Sequence, residues 1–191
     1  PGRVVGLRKR INGHLEDHDR GIVEMIGEPL GRDQRIGHCA ALLVLVGDHQ
    51  FLAWEERDDL GKTDLNEYPD LLAVDNEVVV PVGEMIRVLV TADAGSVIHN
   101  WALPAFGVKM DAIPGRVNET WFNANKPGIY YGQCSELCGK FHAYMPIAVR
   151  VVERAEFEAW QHTAAEADLE TANKNLIASI QEKKNIKLAQ S

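Results

Sequence analysis

One short stretch of soft donors, Cys134-Ser-Glu136-Leu-Cys138-Gly-Lys-Phe-His142-Ala-Tyr-Met145, limits this chain more than any other feature. It puts two thiols, an imidazole and a thioether on one loop, and a further imidazole, His99, lies well upstream. Thiolate and thioether favour copper, and imidazole suits copper in either oxidation state. A mononuclear blue-copper site needs one Cys, two His and a weak axial Met, so the second thiolate is surplus. Two sulfurs facing each other can bridge two metal ions, leaving one imidazole and one weak axial donor for each. Any fold that uses this set must bring the His99 segment alongside the loop and lock both in place. A Cys134–Cys138 disulfide is the competing reading, but it leaves His99, His142 and Met145 unexplained.

The pattern around the loop is that of an all-β protein. Val78–Val82 and Met85–Thr91 are β-branched runs separated by Gly83, a spacing that predicts a hairpin. Further short runs follow: Val97–Leu103 carries His99, Glu119–Ala124 alternates, and Ile129–Gln133 leads into the metal loop. Ile147–Val152 follows that loop. Regularly spaced short strands with Gly and Pro turns favour a Greek-key sandwich or barrel. From Glu153 the character changes: Phe157, Trp160, Ala164 and Ala167 recur at helical spacing, predicting a helix against the barrel and then a polar helical tail.

At 191 residues the chain suffices for one well-buried domain plus an appendage. The net charge of −8 argues against nucleic acid as a partner and for a positively charged protein. Asp58, Asp59, Asp64, Glu67, Asp75 and Glu77 belong to an acidic segment that reads either as a solvated loop or as a landing surface for a basic partner. The longest apolar run, Cys39–Gly47, is under half the ~20 residues of a membrane-spanning helix. Cys39 reads as a small hydrophobe, and Trp101 and Trp121 read as core aromatics. His14, His18, His38, His49 and His162 have no ligand-like companions.

From about Leu71 to Trp160 the chain resembles subunit II of the haem-copper cytochrome c oxidases. The likeness rests on Leu71-Leu-Ala-Val-Asp75-Asn, Val97-Ile-His99-Asn-Trp101, Gly107-Val-Lys-Met-Asp111-Ala-Ile-Pro-Gly-Arg116 and Tyr130-Tyr-Gly-Gln-Cys134 onward. The helical tail resembles that of α-proteobacterial members. The resemblance implies a cupredoxin-like domain over 51–152, a helical extension over 153–191 and an atypical segment over 1–50, where the family's membrane anchor is not seen. It implies a dinuclear copper A centre bridged by Cys134 and Cys138 and capped by His99 and His142. Met145 and the Glu136 main-chain carbonyl are its weak axial donors, and the Glu136 side chain joins a magnesium ion at the subunit boundary.

No residue here would then make or break bonds. The chain would relay electrons from cytochrome c to haem of the catalytic subunit I, within a proton-translocating oxidase on the periplasmic face of a bacterial inner membrane. Asp58, Asp59 and Asp75 would meet cytochrome c, Asp111 and Arg116 would face the catalytic subunit, and other oxidase subunits would be further partners of the chain. Two departures stand out. Ile36–Gln50, with Leu43-Val-Leu-Val46 at its centre, occupies the place of an aromatic strand carrying the electron-receiving tryptophan, leaving Trp54 as a displaced candidate. Asp93-Ala-Gly-Ser-Val97 puts Ser96, with extra residues before it, where relatives have an acidic residue. A copper A domain of a nitrous oxide reductase and a copper-carrying module are the alternatives.

Overall fold

The computed structural model describes residues 23–26, 39–46, 60–74 and 76–190. Trp54, Asp58, Asp59 and Asp75 lie outside the described residues, as do His14, His18, His38 and His49. Two sheets face each other. The first has the order β1 (Val23–Ile26), β2 (Cys39–Val46), β4 (Met85–Ala92), β7 (Asn118–Asn123). The second has the order β3 (Val78–Pro81), β9 (Pro146–Val152), β8 (Gly128–Cys134), β5 (His99–Leu103), β6 (Val108–Ala112).

The Leu43–Val46 segment thus forms part of a strand, β2, which runs parallel to β4 in the register Cys39↔Met85 to Val46↔Ala92. No described helix is long and apolar enough to cross a membrane.

The hairpin expected around Gly83 does not form. β3 pairs in parallel with β9, whereas β4 pairs with β2 and β7, so the chain changes sheets at this turn. The strands' own patterns explain the split. β4 alternates along its length, with Ile86, Val88, Val90 and Ala92 buried between the sheets, as suits a strand with one covered face. β3 is buried at every position, because its sheet is covered on both sides. Val82 N–H donates to the Val152 carbonyl at 2.9 Å and Gly83 N–H to the Ala124 carbonyl at 2.8 Å, stitching the crossing to both sheets.

Val78 and Val80 point into the inter-sheet core with Trp101, Leu103, Phe122, Val149 and Val151. Val79 and Val152 point outward and meet α1 (Arg154–Glu166) and α2 (Leu169–Ala189) through Phe157, Trp160, Ala164, Ala172 and Leu176. The helical region is two packed helices, where the residue pattern suggested one helix and a tail. Ala167 ends α1 and Asp168 caps α2, its carboxylate accepting the Thr171 N–H at 2.7 Å. Trp101 is a core residue, as expected, but Trp121 is 64% exposed on the edge strand β7, so the expectation of a core role for it is corrected.

Part of the acidic segment is internal. Glu77 and Arg150 are both buried and ion-paired, Lys62 Nζ lies 3.1 Å from Glu77, and Arg150 donates to the Tyr68 hydroxyl at 2.6 Å. Glu67 pairs with Arg150 at 3.3 Å and with Lys184 of α2, and its carbonyl accepts the Tyr131 hydroxyl at 2.7 Å. Glu67 and Glu77 therefore fasten residues 60–74 and 76–77 over β8 and β9 instead of offering charge to a partner. Asp64 and Asp70 remain exposed.

Burial alone would raise the Glu77 carboxyl, but Lys62 and Arg150 outweigh it and hold Glu77 below its ordinary value of 4.5. The unfolded chain consequently takes up this proton first as pH falls. Glu77 contributes stability above pH 4.5 that is lost as pH drops through the lower, folded value. Glu77→Gln leaves buried cations without their main counter-charge. It should cost about 3 kcal/mol at neutral pH and flatten the stability profile below the carboxylate range, measured by urea unfolding across pH.

Candidate metal centre

β5 and β8 are neighbours in the second sheet, and this adjacency assembles the site. Their ladder is short, Trp101↔Cys134 and Ala102↔Gln133, and it places His99 at the start of β5 near Cys134 at the end of β8. Gly132 makes the approach possible, since a Cβ there would overlap the Ala102 carbonyl oxygen and crowd Leu103 Cδ2 at 3.2 Å. Phe106 stacks on Phe122 at 4.5 Å and meets Tyr130 at 4.6 Å, while Trp101 sits 6.2 Å from Phe122, so the strands rest on a packed aromatic floor.

The loop after β8 folds back on itself. Gly139, directly after Cys138, takes φ +120°, a conformation side chains resist. A 3-10 turn over His142–Tyr144 follows, and Cys134 N–H donates to the Met145 carbonyl at 3.3 Å, closing the loop. The result is a tight set of donor atoms. The Cys134 and Cys138 sulfurs are 3.8 Å apart; Cys138 Sγ is 3.3 Å from Met145 Sδ and 3.5 Å from His142 Nδ1. The Glu136 carbonyl is 3.2 Å from Cys134 Sγ. Ligand atoms of His99, Cys134 and Cys138 all lie within 4.8 Å of one another.

These distances suit a metal. A disulfide would hold its sulfurs ~2.05 Å apart, so Cys134 and Cys138 are not bonded to each other. Two metal–sulfur bonds of ~2.3 Å at the tetrahedral angle put their sulfurs ~3.8 Å apart. His99, Cys134 and Met145 are buried, whereas Cys138 and His142 are half-buried at the rim beside Leu137 and Phe141, both exposed. Among the described residues no other group of His, Cys or acidic donors gathers in this way. His162 is 70% exposed on α1 and pairs with Glu166.

Two contacts escaped the sequence pattern. Asn100 N–H points at Cys134 Sγ at 3.5 Å, and the Asn100 amide donates to Asp111 at 2.6 Å. Asp111 and Arg116 line one cleft of about 410 Å³ with Asn100, Lys109 and Asn118. The second contact is Ser96 Oγ, 2.9 Å from His99 Nε2. Only the sequence departure at 93–96 hinted that this residue had a task.

Two facing β-sheets with a sulfur-rich set of donor atoms at one end of their shared core define a cupredoxin-like fold with a candidate metal site. The family described as "Cytochrome C oxidase subunit II, periplasmic domain" matches residues 50–152, and the chain belongs to this family. "Probable cytochrome c oxidase subunit 2" of Rickettsia felis is 45% identical over 135 residues, covering 69% of this chain and 41% of that protein. The protein of the same description from Rickettsia prowazekii is 54% identical over 90 residues, 47% of this chain and 28% of its own length. The chain thus spans less than half of these curated relatives. The solved periplasmic domain of subunit II of cytochrome oxidase from Bradyrhizobium japonicum is 65% identical, with a TM-score of 0.50 over 53% of this chain and 72% of that one.

The β5–β8 contact yields a prediction. Gly132→Ala should destabilise the fold by about 3 kcal/mol, because the clash is with backbone and cannot be relieved by a rotamer change. It should also impair metal loading by displacing His99 from Cys134, both read out by thermal unfolding and metal analysis of the same preparation.

Proposed function

We propose that this chain is the electron-accepting subunit of a cytochrome c oxidase and holds a dinuclear copper A centre. The observation that carries the reading is the 3.8 Å separation of two unbridged cysteine sulfurs with a thioether, a carbonyl and an imidazole gathered around them. Cys134 and Cys138 would hold the copper ions through their thiolates, His99 and His142 through their imidazoles, and Met145 and the Glu136 carbonyl as weaker donors. Copper held in this way accepts and releases one electron at a time.

The chain's own residues make that exchange inexpensive. His99 and Cys134 come from paired strands, and the Cys134–Met145 hydrogen bond closes the loop between the remaining donors. A cage fixed by core packing changes little between oxidation states. Burial of His99, Cys134 and Met145 keeps water from reorganising around the charge, and the Asn100 N–H faces the Cys134 sulfur where negative charge resides.

Electrons arrive from cytochrome c, a basic partner for which Asp58, Asp59 and Asp75 supply opposite charge, and leave to haem of the catalytic subunit I. Asp111 and Arg116 meet that subunit. The exposed Glu136 side chain contributes to a magnesium ion at the boundary with that subunit. The assembled oxidase reduces oxygen and translocates protons at the periplasmic face of the inner membrane. Family membership favours this reading over a nitrous oxide reductase domain or a copper carrier.

Copper-loaded protein should contain two copper ions per chain, be purple and give an electron-spin signal split by two equivalent coppers. Cys138→Ser should abolish that signal, and His162→Ala should leave it intact. One copper per chain, or zinc in its place, defeats the proposal.

A further inference from the structure

We infer that Ser96 is a positioning residue for the metal centre: its hydroxyl fixes the tautomer and orientation of the His99 imidazole, and so sets copper affinity and reduction potential. The inference rests on the dinuclear copper reading of the site. Ser96 Oγ lies 2.9 Å from His99 Nε2. The imidazole is 1% exposed, so no bulk water competes for that nitrogen.

A neutral imidazole carries one N–H and one lone pair. With the hydroxyl accepting from Nε2–H, the lone pair resides on Nδ1, the nitrogen left for the sulfur cluster. An acceptor on the remote N–H also strengthens the ring as a donor, which favours the oxidised metal. The hydroxyl is placed by its own turn and needs no help from the metal loop: Ser96 N–H donates to the Asp93 carbonyl at 3.0 Å, closing the turn between β4 and β5. A neutral hydroxyl supplies this hydrogen bond without adding negative charge beside the centre.

The test uses the whole chain as wild type, Ser96→Ala and Ser96→Thr, each loaded with copper. Copper affinity comes from competition with a chelator, the potential from redox titration, and exchange of the His99 ring N–H from proton NMR. Ser96→Ala should weaken copper binding about 10-fold or more, raise the potential and speed that exchange, with the unfolding temperature of the metal-free protein unchanged. Ser96→Thr, which keeps the hydroxyl, should restore all three. Unchanged affinity, potential and exchange in Ser96→Ala overturn the inference, as does loss without rescue by threonine. A loss that tracks a lower metal-free unfolding temperature also overturns it, because it marks a structural role. If wild type fails to take two coppers, the functional reading falls first; if wild type loads normally and Ser96→Ala behaves identically, only this inference falls.

Discussion

The backbone contact between β5 and β8 is the constraint on which the centre depends. Only two residue pairs join these strands, and a glycine is needed where they come closest. That contact fixes His99 relative to Cys134, the one pair of proposed donors not tied together by a short loop. Every other donor is positioned relative to Cys134 by local chain geometry: the Gly139 turn, the 3-10 turn and the bond to the Met145 carbonyl. The site is therefore one long-range packing decision followed by a series of local ones. A rigid two-strand platform suits a centre that must exchange electrons without rearranging, since the loop cannot relax while its ends are held in the sheet.

The outer face of the same sheet is secured by different means. Apolar packing of α1 and α2 covers Val79 and Val152, while residues 60–74 are held over β8 and β9 both by the packing of Leu60, Tyr68 and Ala73 with Ile129 and by the Glu67–Arg150 ion pair. Arg150 contacts Glu77, Glu67 and Tyr68 together, and Lys184 of α2 reaches Glu67, so the helical extension and the acidic segment share one polar anchor. Buried charge of this kind adds less net stability than its close contacts suggest, because desolvation offsets much of the attraction. Its consequence is specificity of placement: the chain leading into β3 has one satisfactory position.

The sequence made the local features legible and left the relational ones hidden. The donor loop, the six strand runs expected between Val78 and Val152 and the helix through Phe157 and Trp160 follow from residue spacing and are found, whereas β6 (Val108–Ala112) is a strand that no expected run covered. The parting of β3 and β4 into different sheets was not legible, because Gly83 between two apolar runs is compatible with a hairpin or a crossing. What separates them is burial on both faces of β3, a property of the neighbours that cover it. Glu77 looked like one more surface acid, since its partner Arg150 is distant in sequence. Trp121 lies in an alternating strand, and alternation does not say which face meets the core. The break between α1 and α2 could have been found: Asp168 followed by Thr171 is a helix-capping signal inside a segment without Pro or Gly.

The two imidazoles of the site are not equivalent, and this asymmetry bears on how a rigid centre can still have direction. His99 is enclosed, held on a strand and contacted by Ser96, whereas His142 sits half-buried on the loop beside exposed Leu137 and Phe141. An apolar rim around a half-buried ligand lets a partner exclude water on contact, which shortens the path for an electron and lowers the local dielectric. The enclosed side does the opposite work, keeping the imidazole environment constant whatever docks outside. On the proposed copper reading, tuning and exchange would fall to different ends of the site: contacts behind His99 would act on the potential, and contacts in front of His142 on the approach of a partner. Changes to the rim should accordingly alter encounter and transfer rates while leaving the potential nearly fixed, and changes near Ser96 should do the reverse.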